Sequence, residues 1–136
     1  MARARILIAD DHAAIREQLA HLLAPEHDIV ALVGDGKAAV AAAVQLAPDL
    51  VLLDISMPVM GGIIAARRLK KHSRAPKVVF ITGHADAAYV DEAFRVGAEG
   101  YVLKSNLAAE LGDAIRAVFA GRTYRSRQIP WSSNRP

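Results

Sequence analysis

Three carboxylates, a threonine and a lysine stand at the ends of short apolar runs in this 136-residue chain. Asp10 and Asp11 follow Ile6-Leu7-Ile8-Ala9, and Asp54 follows Leu50-Val51-Leu52-Leu53. Thr82 closes Val78-Val79-Phe80-Ile81, and Lys104 follows Tyr101-Val102-Leu103. If the runs are parallel strands, all these groups lie along one sheet edge, where open α/β sheets place their ligands. Three converging carboxylates repel, which raises one or more of their pKa values. A hard divalent cation removes that cost, and an oxygen-only donor set suits Mg²⁺. Lys104 adds a positive charge on the other side, so the two cations bracket a place for a dianion. Thr82 supplies a hydroxyl donor to it. A carboxylate beside bound Mg²⁺ and a phosphate-sized site can itself accept a phosphoryl group.

Each residue also has an ordinary reading. Asp10 or Asp11 fits a helix N-cap ahead of Ile15. Asp54 fits a turn before Met57-Pro58 and Gly61-Gly62, Thr82 a strand, and Lys104 an exposed surface. Their appearance together, at successive run ends, favours the chemical reading.

The elements that must position them are legible from periodicity. Apolar runs at 6–9, 29–33, 50–53, 78–82 and 101–103 alternate with helical spacing. The helical marks are Ile15, Leu19, Leu22 and Leu23, then an alanine-rich stretch to Ala47, then Ile63, Ile64 and Leu69. Tyr89, Val90, Ala93 and Phe94 follow, and Leu107, Leu111, Ile115, Val118 and Phe119 come last. The pattern predicts an α/β fold, (βα)5, with a five-stranded parallel sheet, helices on both faces and a flavodoxin-like strand order. Regular structure is expected over 1–121, and 122–136 reads as a basic linker or disordered tail.

Charge supports that division. The whole chain carries 17 Lys and Arg against 14 Asp and Glu. Arg122, Arg125, Arg127 and Arg135 lie in the tail, which has no acid, so residues 1–121 keep 13 bases against 14 acids, a net charge of −1. The chain has no cysteine, which removes thiolate catalysis and disulfides. No apolar run approaches the ~20 residues of a membrane span. Met1–Arg5 runs straight into the first strand, which predicts no signal peptide and a cytoplasmic location.

These motifs resemble the receiver domain of two-component response regulators. The resemblance rests on Ile8-Ala9-Asp10-Asp11-His12, on Pro48–Asp54 with Met57-Pro58 and Gly61-Gly62, on Phe80-Ile81-Thr82, and on Gly97–Lys104. Asp10-Asp11-His12 with Ala120-Gly121-Arg122-Thr123-Tyr124 looks like the LuxR/NarL-type subgroup, whose members carry a C-terminal helix-turn-helix domain after a linker. The resemblance implies that Asp54 is the phosphoacceptor for a sensor histidine kinase. It implies that Asp11 ligates Mg²⁺ directly, that Asp10 acts mainly through water, and that the Ser56 carbonyl is a further ligand. Lys104 would pair with the phosphoryl oxygens. Thr82 would hydrogen-bond to them and couple them to Tyr101, the position of the family's switch aromatic, which is expected to shift inward. Ser56 and His84 occupy the variable positions that tune hydrolysis, and Gly83 replaces a more usual alanine, loosening its loop. Ser105 stands where the family commonly has a proline with a cis Lys–Pro bond.

The implied function is a phosphorylation-dependent signalling switch, not an enzyme with a separate substrate, although it catalyses its own phosphorylation and dephosphorylation. It would form the receiver part of a transcriptional regulator that binds DNA only through a missing C-terminal domain. Homodimerisation on phosphorylation is implied through the last helix, if its apolar stripe is not used up on the sheet. The alternatives are a stand-alone receiver acting by protein–protein interaction and an aspartate-nucleophile phosphatase. The latter usually carries its nucleophile after the first strand, in an Asp-x-Asp motif.

Overall fold

The computed structural model describes residues 3–129. Strands and helices alternate as β1 (Arg5–Ala9), α1 (Ala13–Leu23), β2 (Asp28–Val33), α2 (Gly36–Leu46), β3 (Leu50–Leu53), α3 (Gly62–Leu69), β4 (Lys77–Thr82), α4 (Ala87–Arg95), β5 (Gly100–Leu103), α5 (Leu107–Phe119) and β6 (Tyr124–Arg125). A 3-10 turn over Lys104–Asn106 joins β5 to α5. All pairings are parallel, in the order β2-β1-β3-β4-β5-β6. This is the flavodoxin-like order with one strand added.

The unbroken apolar run of β3 follows from burial on two sides. Val51 and Leu53 pack into one core with Ala39 and Ala43 of α2, Ala65 and Leu69 of α3, and Val90 and Ala93 of α4. Leu50 and Leu52 pack into a second core with Leu19 and Leu23 of α1 and with Leu111, Ile115 and Val118 of α5. Each fully buried aliphatic side chain contributes about 1.5–3 kcal/mol. The stripe on α5 is therefore committed to the sheet, and its Phe119 is only partly buried against the same core.

Local signals set the helix ends. Asp35 caps α2 by accepting the Ala38 N–H at 2.7 Å, which satisfies a donor left free in the first turn. Ala47 ends that helix in the left-handed region, at φ 47°.

The sheet has six strands where periodicity predicts five. Beyond α5 the chain turns at Gly121, at φ +84°, and returns along β5. The Tyr124 N–H donates to the Glu99 carbonyl and the Ser126 N–H to the Tyr101 carbonyl, each at 2.9 Å. Ser126 and Ile129 are buried. A two-residue strand has too few positions to show alternation, so hydropathy cannot reveal it. The basic stretch expected to be a linker or tail thus begins with residues packed on the sheet edge. Trp131 and Arg135 lie outside the described residues.

Candidate functional site

The strand register brings the polar strand-end groups together. Ala9 pairs with Leu53, so Asp10 and Asp54 leave the sheet at the same level, and the Asp54 N–H donates to the Ala9 carbonyl at 2.9 Å. Thr82 pairs with Leu103, which sets Lys104 one step past the end of β4. Asp10, Asp54 and Thr82 are buried, whereas Asp11 points to solvent.

From the end of β5, Lys104 reaches across the ends of β4 and β3 toward β1. Its Nζ lies 2.8 Å from Asp10 Oδ2 and 3.2 Å from Asp54 Oδ2. It hydrogen-bonds to Asp54. Toward Asp10 the contact is an ion pair without hydrogen-bond alignment, and the wholly buried Oδ2 has no aligned donor. The Lys104–Ser105 bond is trans, as are all peptide bonds among the described residues, and the chain enters the 3-10 turn at once. The serine in place of proline is thereby accommodated in the ordinary peptide geometry.

The electrostatics are unbalanced. Burial pushes the Asp54 carboxyl above its usual range and the neighbouring Asp10 charge adds to the rise, against the opposing pull of Lys104 and the Ser56 backbone. Burial works against the Lys104 ammonium too, yet the two carboxylates outweigh it and raise its pKa. The same contact therefore secures the lysine's charge without securing that of Asp54. Asp10 and Asp54 together face one ammonium.

Their oxygens and the His12 ring nitrogen form one group in which the ligand-capable atoms lie within 4.8 Å of one another. The carboxylate oxygens of this group, one of them buried without an aligned donor, are the hard ligands that fit a divalent cation such as Mg²⁺. His12 belongs to the cluster although its sequence shows no metal-ligand spacing. Its Nδ1 is 3.1 Å from Asp10 Oδ1 and also 3.1 Å from Asp11 Oδ1. The signal available in sequence was its adjacency to the acids at the start of α1. Arg16, one helical turn further, also reaches the site, donating to the Asp10 carbonyl at 2.7 Å.

The loop after β3 is held tightly. A Cβ on Gly62 would meet the Asp54 carbonyl oxygen at 2.0 Å, and one on Gly36 would meet the Met60 carbonyl oxygen at 2.1 Å. Val59, at the exposed tip, adopts φ 68°, a left-handed conformation costly for a β-branched residue.

Across the site mouth, Ser56 Oγ lies 3.1 Å from His84 Nε2. The His84 N–H donates to Thr82 Oγ1 at 3.1 Å, and the Tyr101 hydroxyl donates to the His84 carbonyl at 2.6 Å. Tyr101 already points inward, fully buried and near Phe80 at 6.3 Å between ring centroids. Gly83 is exposed, with nothing within 4 Å of where a Cβ would stand.

A family model, the response regulator receiver domain, matches residues 6–116. The chain belongs to this family. Its relatives are LuxR/NarL-type regulators. This receiver is 37% identical over 119 residues to the transcriptional regulatory protein LiaR of Bacillus subtilis (strain 168), covering 86% of this chain and 56% of LiaR. It is 38% identical over 122 residues to DegU of Brevibacillus brevis, covering 88% of this chain and 52% of DegU. The receiver thus spans little more than half the length of these relatives. Among solved structures it is similar to a LuxR-family two-component response regulator from an Aurantimonas species, with TM-score 0.88 and 37% identity over 94% of this chain and 93% of that one. It is also similar to the signal receiver domain of NarL from Mycobacterium tuberculosis, with TM-score 0.84 and 30% identity over 90% of this chain and 100% of that one.

Proposed function

We propose that this receiver is a phosphorylation-dependent switch in which Asp54 takes a phosphoryl group from a partner histidine kinase. The observation that carries this reading is the Lys104 ammonium, held within 3.2 Å of Asp10 and Asp54 where three parallel strands end. An Asp54 carboxylate oxygen attacks phosphorus and the P–N bond to the donor histidine breaks. The imidazole leaves with the electron pair and takes up a proton, and an acyl phosphate remains on Asp54. Lys104 turns from the carboxylates to the new phosphoryl oxygens, and Thr82 donates its hydroxyl proton to them. Thr82 and Tyr101 carry the change outward, while Ser56, Gly83 and His84 at the mouth tune hydrolysis. Asp10, Asp11, Asp54 and the Ser56 carbonyl would hold Mg²⁺. When bound, the ion supplies charge neutralisation for the phosphoryl oxygens and the carboxylates.

The switching unit is residues 1–121, with 122–136 as a basic linker whose first residues dock on the sheet. The biological output is transcriptional, through a DNA-binding domain beyond this chain, because LiaR and DegU are named transcriptional regulators and extend well past the shared region. The work is signalling by interaction with a kinase, in the cytoplasm. No helix among the described residues is long and apolar enough to cross a membrane.

The direct test is labelling by radioactive acetyl phosphate with Mg²⁺. Asp54→Asn is expected to abolish acid-stable, base-labile label. Undiminished label on that variant would remove Asp54 from the role.

A further inference from the structure

The segment after α5 is bonded to the same strand that carries Tyr101 and leads to Lys104. Ser126 grips β5 twice. Its N–H donates to the Tyr101 carbonyl at 2.9 Å, and its Oγ accepts the Leu103 N–H at 2.9 Å. Leu103 is the residue before Lys104. Tyr101 in turn donates to the His84 carbonyl, and the His84 N–H donates to Thr82 Oγ1. One unbroken series of hydrogen bonds therefore runs Thr82–His84–Tyr101–Ser126, and a second path runs Lys104–Leu103–Ser126.

The flanking contacts fasten the segment to the helices on either side of β5. The Tyr124 hydroxyl donates to buried Glu110 of α5 at 2.6 Å. The Arg125 guanidinium lies over the Phe94 ring of α4, 5.1 Å from its centroid. Asn106 donates to Gln128 at 2.6 Å. Ile129 is buried in the core cluster that contains Tyr101 and Val90. These residues hold β5 in the position that places Tyr101 inward and Lys104 over the carboxylates.

We propose that residues 122–129 form a strap whose docking is thermodynamically coupled, with positive sign, to loading of the phosphoacceptor. The inference rests on the proposed role of Asp54. A group on Asp54 that bonds to Thr82 and Lys104 requires β5 where the docked strap holds it, so that Lys104 turns to the new oxygens from a fixed strand end. The loaded site and the docked strap thus favour one position of β5, and each stabilises the other. The bonded network is a contiguous physical route between them. The strap makes the start of the linker a sensor of the site.

Amide hydrogen exchange on the whole chain, with and without Mg²⁺ and beryllofluoride, tests this. Beryllofluoride is a mimic of the phosphoryl group. Residues 55–58 and 82–84 report on site loading, and the amides of Tyr124, Ser126 and Ile129 report on the strap. The expected result is increased protection at both. Reciprocally, Ser126→Ala and Ser126→Ala/Ile129→Ala are expected to weaken beryllofluoride binding about fivefold or more, the lower end of typical coupling. Protection confined to the site, with unchanged affinity in both variants, overturns the strap and leaves the acceptor reading standing. No response at the site in the wild-type chain overturns both.

Discussion

The Tyr101 hydroxyl donates to the backbone carbonyl of His84 at 2.6 Å. This bond ties β5 to the loop after β4, so the strand that leads to Lys104 and the strand that ends in Thr82 cannot shift independently. Burial raises the phenol's pKa and keeps the donor proton in place. Tyr101→Phe is expected to cost about 1–2 kcal/mol, because the His84 carbonyl loses a partner in a half-buried place. Urea unfolding measures it, and an unchanged midpoint would show that the bond is replaced by water.

The raised Asp54 pKa gives a pH prediction with a definite sign. A carboxyl whose pKa is higher in the folded chain favours folding most below its unfolded value, near 3.8, and loses that contribution as pH rises through the folded value. At neutral pH without divalent cations the ionised Asp54 is therefore a net burden. Asp54→Asn should unfold at higher urea than wild type at pH 7, and the gain should shrink toward pH 3. A gain of equal size at both pH values would contradict the electrostatic origin.

Removing the ammonium should act in the opposite direction. Lys104→Met leaves Asp10 and Asp54 facing each other without compensation. The lysine keeps 20% of its side chain exposed, so the loss falls below that of a fully buried pair, at about 2 kcal/mol. Added Mg²⁺ should restore more stability to this variant than to wild type, since the dication replaces the missing charge. Thermal melts across a Mg²⁺ series read the difference, and equal increments in the two proteins would count against a cation at these carboxylates.

Two glycines near the site differ in what they tolerate. Gly62→Ala would force a methyl group to 2.0 Å from the Asp54 carbonyl oxygen, where the neighbour is rigid backbone. A loss of about 2 kcal/mol or more and slower labelling by acetyl phosphate are expected. Gly83→Ala meets nothing within 4 Å and should leave stability unchanged or raise it by up to about 1 kcal/mol. Comparable melting temperatures for the two variants would sink the packing account.

The parallel α/β plan was legible because strand and helix periods differ sharply, and because β3, buried on both faces, reads as an unbroken apolar run. The placing of Asp10, Asp54, Thr82 and Lys104 at strand ends followed from that plan. His12 escaped because proximity to two carboxylates depends on the path of the chain into α1, which ligand spacing does not encode. β6 escaped because two residues have no period. The switch-tyrosine expectation of an inward shift meets a side chain that is already inside.

By itself the sequence determined the order of the elements and which chemical groups each strand delivers to the common edge. Alternation of apolar runs is a local property, and a parallel sheet makes all carboxyl ends coincide. The tertiary structure alone decided which of those groups touch. Lys104 divides itself between Asp10 and Asp54, 94 and 50 positions earlier in the chain, because the strand order sets β1 and β3 on one side of β4 and β5 on the other. Ser126 grips Tyr101 and Leu103 because Gly121 turns the chain back along an open sheet edge. Contacts of this kind depend on register and loop path, which residue type and spacing do not specify.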